Sequence, residues 1–195
     1  MSVLSNYHIY DAVRRMELKI LPFDPHSIQS ASYDVHLGDS FVTYGQNVYD
    51  QNYPIDPLKV LPTGTHIDDV DSIILRSKEF MLAYTLEIIG LNKHTVARVE
   101  GVSSLGRLGL AVHTTAGYID PGFHGQVTLE LFNMAPYAIK LTPGMRIAQF
   151  AFERLTGPSK GYKGRYQSQM GVTKSRYSSA DYMAKNDIKP KVEYL

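Results

Sequence analysis

EFMLAYTLEIIGLNKHTVARVEG, residues 79–101, decides the architecture. Two runs rich in β-branched and aromatic residues, FMLAYTLEII and TVARVEG, flank a turn signal at Leu91-Asn92-Lys93; this is strand text, not helix text. The pattern continues on both sides. IILRS comes before, and GLAVHTTAGYI, QVTLELFNM, YAIKL and IAQFAFERL follow, parted by Pro121-Gly122, Ala135-Pro136 and Thr142-Pro143-Gly144. Many short strands at regular spacing between Ser72 and Leu155 predict a closed or double-sheet β architecture rather than βαβ units.

The flanks read differently. Ser5 is an expected N-cap, with Ile9, Ala12, Val13 and Met16 at helical spacing behind it, until Pro22 and Pro25 end any helix. Tyr33, Val35 and Leu37 then alternate with Asp34 and His36, and Phe41-Val42-Thr43-Tyr44 continues as strand. Residues 45–72 hold Pro54, Pro57 and Pro62 among Gly, Asn and Asp, a long connection with at most short strands. From Thr156 to Ala180 come Lys160, Lys163, Arg165, Lys174 and Arg176 with no acidic residue, interleaved with Gly157, Gly161, Gly164 and Gly171 and with Tyr162, Tyr166 and Tyr177. Such a segment is either a solvated tail or a mobile lid, with cations for phosphates and aromatic faces for a base. As a lid it would add phosphate contacts but little core. The expected organisation is a β domain with its helix at 1–155, a lid at 156–180 and a C-terminal extension at 181–195.

Composition narrows the function. The 195 residues, 44% hydrophobic and 20% charged, suit one globular domain. Twenty basic residues against 19 acidic ones leave a net charge of +1, which argues against a nucleic-acid coat or a membrane-surface protein. The absence of cysteine removes disulfides, thiol nucleophiles and Cys-ligated zinc. No apolar stretch reaches membrane-span length and the N-terminus has no signal-peptide core, so the expected compartment is cytoplasmic. The seven histidines show no HxxxH or HxH spacing and suggest no metal site. His113 reads as a hydrogen-bonded strand residue that could line a pocket.

The densest unusual text is EGVSSLGRLGLAVHTTAGYIDPGFHGQVTLELFN, residues 100–133. Ser103 and Ser104 before Gly106, Arg107 and Gly109 allow close approach to an anion, although Ser-Ser-Leu-Gly is also an ordinary turn. Asp120 precedes Pro121-Gly122, where a carboxylate commonly caps a turn. On the strand Val127–Phe132, the odd-numbered residues share one face, and Thr128, Glu130 and Phe132 share the other. Glu130 is then either a surface carboxylate or a pocket acid able to move protons.

SSLGRLGL, TTAGYIDPGFHGQVTLELFN and LTPGMRIAQFAFERL, in this order, resemble the dCTP deaminases, relatives of the trimeric dUTPases. ASYDVHLGDSF at 31–41 resembles the family's N-terminal strand signature, and RYQSQMGVTKSR at 165–176 its lid, so the likeness spans residues 4–177. Gly117-Tyr118, with Gln149, is similar to the bifunctional branch that also hydrolyses dUTP to dUMP and pyrophosphate. At Val102 the chain departs from the family, which carries Arg or Lys there.

The resemblance implies a mainly β fold, a distorted jelly-roll or barrel of the dUTPase type, assembled as a homotrimer with active sites between subunits. It implies metal-independent hydrolytic deamination, with Glu130 moving protons and Ser103 and the Ala116 carbonyl orienting the water. Arg107 would keep Glu130 placed, and Asp120 would meet the sugar. Ser104, Gly106, Thr115, Tyr118 and Gln149, with Lys163, Arg165, Tyr166, Gln169 and Lys174 of the lid, would bind the deoxycytidine or deoxyuridine nucleotide. Magnesium would ride on the triphosphate, and no zinc, nucleic acid or membrane is implied. The alternatives are a dUTPase without deaminase activity and a non-catalytic nucleotide-binding regulator of the same fold.

Overall fold

The computed structural model describes residues 2–45, 55–59 and 61–177. The expected C-terminal extension, the last three lid residues and Pro54 lie outside the described residues. In chain order the elements are β1 (Ser2–Val3), α1 (Asn6–Arg14), β2 (Leu18–Leu21), β3 (Tyr33–His36), β4 (Phe41–Thr43), β5 (Thr65–Ile67), β6 (Ile73–Leu75), β7 (Phe80–Leu91) and β8 (Thr95–Gly101). There follow α2 (Ser103–Gly106), β9 (Leu110–Val112), β10 (Tyr118–Ile119), β11 (His124–Asn133), β12 (Ile139–Leu141) and β13 (Arg146–Arg154).

The strands form two antiparallel sheets. The first runs β1-β13-β8-β10, with β3 also paired to β13; the second runs β5-β4-β7-β11-β9, with β2 also paired to β7. β12 and β6 make a separate ribbon. The sheets are open rather than closed into a barrel, so the double-sheet, jelly-roll-like form is the one adopted.

Period-two alternation explains the core. Val127, Leu129 and Leu131 of β11 are buried and meet Met81 and Ala83 of β7, while Tyr33, Val35, Phe150 and Phe152 supply the first sheet's inner face. Each fully buried side chain of this size contributes about 1.5–3 kcal/mol. Asn133 is fully buried yet satisfied: its amide donates to the carbonyls of Leu75 (3.0 Å) and Tyr137 (2.7 Å) and accepts from the Ala135 N–H. A β-bulge lies between Gln126 and Thr128, where the Val127 N–H donates to Thr85 Oγ1 at 3.0 Å.

Three expectations are corrected. GLAVHTTAGYI is not one strand: it breaks at His113, which sits at φ +58°, so β9 pairs with β11 in one sheet and β10 with β8 in the other. The segment therefore crosses between sheets. Met16 is 78% exposed because α1 stops at Arg14 and Met16 itself adopts φ +56°, leaving only Ile9 and Ala12 fully packed beneath the helix. Ser5 does hold the N-cap position, although its hydroxyl pairs with His8 Nδ1 (2.8 Å) rather than with the backbone.

The third correction concerns the basic segment after Leu155, which does join the core. Val172 packs on Val42 and Leu82, and Gln169 is buried. The segment runs as a strap along β11. Gln126 N–H donates to the Gln169 carbonyl (3.0 Å), Gln169 Nε2 to the Gln126 carbonyl (2.7 Å), and the Gly171 N–H to Gln126 Oε1 (2.6 Å). Two glycines admit it. At Gly125 (φ +146°) an added Cβ would stand 2.6 Å from the Gln169 oxygen, and at Gly122 (φ +81°) 3.0 Å from Gly161 Cα.

Candidate active site

Between the strap and the outer face of the second sheet lies a cavity of about 690 Å³. Its floor comes from β11 and β7: Glu130 stands directly opposite Leu82, with Thr128 and Phe80 each two residues along their own strands. The crossing segment contributes His113, Ala116, Tyr118, Ile119 and Asp120, and the strap contributes Tyr162, Tyr166, Gln169, Thr173, Lys174 and Ser175.

Glu130 is half-buried and lines this cavity. Thr115 Oγ1 donates to its Oε2 at 3.1 Å, while its backbone carbonyl accepts from the His113 N–H (2.9 Å) and from Thr114 Oγ1 (3.4 Å). The 113–115 turn is thus wrapped around the acid by three hydrogen bonds. Among the described residues, Thr115 is the side chain that engages the Glu130 carboxylate, through Oε2. His113 is not the hydrogen-bonded strand residue expected: both ring nitrogens are buried without a hydrogen-bond partner.

Of the residues singled out from the sequence, the cavity brings together Glu130, Ala116, Tyr118, Asp120, Tyr166, Gln169 and Lys174, with Thr115 attached through Glu130. Lys174 is engaged rather than free, its Nζ donating to the Gly64 carbonyl at 2.6 Å. Lys163 lines a smaller neighbouring groove with Asp120, Ser159 and Lys160. Arg165 and Arg176 bond each other's backbone carbonyls, and the Arg176 guanidinium lies 5.9 Å from the Tyr166 ring centre.

Ser103, Ser104, Gly106 and Arg107 do not line this cavity. They sit on and just after α2, all exposed. Val102 beneath them is 9% exposed, so this position serves packing within the chain. Gln149 is also elsewhere, accepting from Ser32 Oγ (2.6 Å) and donating to the Gly101 carbonyl (3.2 Å).

Sequence reasoning missed the apolar wall. Phe80 and Leu82 of β7 line the cavity together with Tyr44, Ile55 and Pro62, and the Tyr44 and Phe80 rings are stacked at 5.9 Å. The alternation of Phe80, Leu82 and Tyr84 was the available signal. Beneath the strap, the Tyr84 hydroxyl donates to Asp39 Oδ1 at 2.7 Å and holds that carboxyl below its usual range, while burial pushes the Tyr84 phenol up. Among the described residues no three His, Cys, Asp or Glu gather as a metal site, and no helix is long and apolar enough to cross a membrane.

A family model described as dCTP deaminase-like matches residues 3–155. A protein of Tropheryma whipplei (strain Twist) named "dCTP deaminase, dUMP-forming" is 41% identical over 189 residues, 94% of this chain and 96% of its own length. One of the same name from Clavibacter michiganensis subsp. michiganensis is 45% identical over 164 residues, 80% of each chain. Among solved structures, the 2'-deoxycytidine 5'-triphosphate deaminase of Agrobacterium tumefaciens shares the fold, with a TM-score of 0.60 at 20% identity over 79% of this chain. This chain spans about half of that one, 49% of its length.

Proposed function

The chain belongs to the dCTP deaminase-like family, and on that premise we propose that it converts dCTP and water to dUTP and ammonia, then hydrolyses dUTP to dUMP and pyrophosphate. The observation that carries this is Glu130, set in the cavity with one oxygen fixed by Thr115 and the turn holding Ala116 beside it. Water with its ordinary pKa near 15.7 attacks a ring carbon only if a base takes its proton. Glu130 takes that proton as the water oxygen bonds to C4, and delivers it to N3. The proton of the new C4 hydroxyl then passes through Glu130 to the amino nitrogen, the C4–N bond breaks, and ammonia leaves as the C4 carbonyl forms. The names of the two relatives support the dUMP-forming second step.

Ser103, Ser104 and Arg107 come from a neighbouring copy in this reading. Their exposure on α2, away from the Glu130 cavity of their own chain, supports a homotrimer with sites between subunits. Asp120 meets the sugar, and the strap's Lys163, Arg165, Tyr166 and Gln169 close over the nucleotide. Magnesium would travel with the triphosphate and its waters, the usual habit of this ion at nucleotide sites. It is assigned no protein cage, and its charge would offset that of the phosphates.

Glu130→Gln tests the assignment, because the amide keeps the shape and loses the proton-transfer role. Ammonia release from dCTP is expected to fall about 10²–10⁴-fold, with nucleotide binding by calorimetry retained. Ammonia release within tenfold of wild type overturns the role of Glu130. Pyrophosphate from dUTP without ammonia from dCTP, in the wild-type protein, identifies a plain dUTPase instead.

A further inference from the structure

We infer that Gln126 is a positioning residue: its side-chain amide sets the register of the strap on β11, and so places Gln169, Thr173 and Lys174 along the cavity that holds Glu130. The inference rests on the reading of the strap as the segment that closes over the nucleotide, and adds the residue that seats it. The strap climbs β11 on alternate residues. The Ser168 N–H donates to the His124 carbonyl (2.8 Å), Gln169 bonds the Gln126 backbone, and the Thr173 N–H donates to Thr128 Oγ1 (3.2 Å). The next residue on that face is Glu130.

All four polar atoms of Gln126 are engaged. Its N–H and carbonyl bond Gln169, its Oε1 accepts from the Gly171 N–H (2.6 Å), and its Nε2 donates to the Leu86 carbonyl of β7 (3.0 Å). That last bond falls at the bulge. Gln126 stands opposite Ile88 and Thr128 opposite Tyr84, so residues 85–87 of β7 face Val127 alone. Side chains meet the backbone there: Thr85 Oγ1 accepts from the Val127 N–H and donates to the Glu87 carbonyl (2.9 Å), and Gln126 serves Leu86. One amide thus donates to the sheet and accepts from the strap, tying the two together.

Register matters because inward and outward residues of the strap are close neighbours. Gln169 is 9% and Val172 8% exposed, whereas Met170 between them is 58% exposed. Val172 packs on Val42 and Leu82, and Gln169 and Thr173 line the cavity. A slip of one residue would carry Met170 inward and expel Gln169. The Gly171 bond to Gln126 lies within this stretch and opposes the slip.

Gln126→Met keeps the length of the side chain and removes both of its bonds. Without nucleotide, trypsin cleavage at Lys163, Arg165, Lys174 and Arg176 is expected to speed up about 5- to 150-fold, the worth of two hydrogen bonds read through the undocked population, while the β core resists as in wild type. KM for dCTP is expected to rise by up to the same factor. kcat should stay within about twofold, because saturating dCTP redocks the strap. Unchanged strap cleavage overturns the inference. So does a fall in kcat with KM unchanged, the mark of damage to the strand that carries Glu130, and so does faster cleavage with both constants unchanged.

Where that variant does not fold, Gln126→Glu keeps the acceptor for Gly171 and loses the donor to Leu86. Strap cleavage is then expected to speed up about 2- to 12-fold, the worth of one bond, and a wild-type rate overturns the bridge. The underlying reading is tested separately in the Glu130→Gln protein, where dCTP is bound without being consumed. If dCTP does not slow strap cleavage there, closure of the strap over the nucleotide is overturned and its seating by Gln126 stands.

Discussion

Gly125→Ala separates docking of the strap from folding of the sheets. The added Cβ would stand 2.6 Å from the Gln169 oxygen and 3.1 Å from its nitrogen. Both are backbone atoms, so no side-chain rotation relieves the contact and the strap has to lift. Lifting it there breaks the two bonds between Gln126 and Gln169 and the one from Gly171 to Gln126 Oε1. At about 0.5–1.5 kcal/mol each, the loss is about 2–4 kcal/mol, or roughly 30- to 10³-fold in the docking equilibrium constant. Alanine at φ +146° adds about 1–3 kcal/mol of local strain to the folded chain.

The assay is kcat/KM for dCTP alongside limited trypsin digestion and thermal unfolding. Trypsin cleavage of the strap is expected to speed up at least about 30-fold, following the undocked population, and turnover to fall with the docked fraction. Cleavage at Lys163, Arg165, Lys174 and Arg176 should precede any loss of the β core. Wild-type turnover together with wild-type trypsin resistance would refute both the close approach and the need for a docked strap.

Thr115→Val removes the hydroxyl 3.1 Å from Glu130 Oε2 and should lower kcat for ammonia release about two- to tenfold, the worth of one ordinary hydrogen bond, with KM unchanged; an unaltered kcat denies Thr115 an orienting role. Mixing unfolded Glu130→Gln and Ser103→Ala chains before refolding should restore about a quarter of the sites if each site is shared between copies of a cyclic trimer, read as regained ammonia release; no recovery contradicts sharing. Tyr84→Phe removes the donor that chiefly lowers the Asp39 pKa. A lowered folded pKa contributes stability present above the unfolded value near 3.9 and lost as pH falls through the folded one. The variant should therefore be about 1–2 kcal/mol less stable at pH 7, and urea unfolding of the two proteins should converge as pH drops from about 5 to 2; a constant gap argues against the pair.

What the sequence disclosed was local. Period-two alternation correctly placed Val127, Leu129 and Leu131 inside and Thr128, Glu130 and Phe132 on the other face, because side-chain direction in a strand depends only on neighbours. It could not show what faced Glu130. Leu82 lies 48 residues away, opposite Glu130 by strand register, and register is set by the whole sheet. The break at His113 was hidden because LAVHTT is ordinary strand text and a non-glycine residue at positive φ announces itself in no pattern. Gly122 was legible as turn punctuation, yet its second use, admitting Gly161, depends on chain that arrives much later. The deaminase resemblance named Ser103 and Arg107 alongside Glu130, whereas the fold of one chain sets α2 apart from the cavity.

β13 gives the first sheet an unusual dependence. Among the described residues it is the last strand, yet β1, β3 and β8 all pair with it, and the only other pairing described in that sheet is β8 with β10. Ser2 meets Arg154 and Tyr33 meets Phe150, partners separated by most of the chain. No early hairpin can nucleate this half of the sandwich, so its formation waits on loop closures that are entropically costly before they are rewarded. Folding of the domain should therefore be slow, on the millisecond-to-second scale of non-local β topologies. A chain halted before residue 146 is left with β3 and one edge of β8 unpaired, open to pairing with other chains.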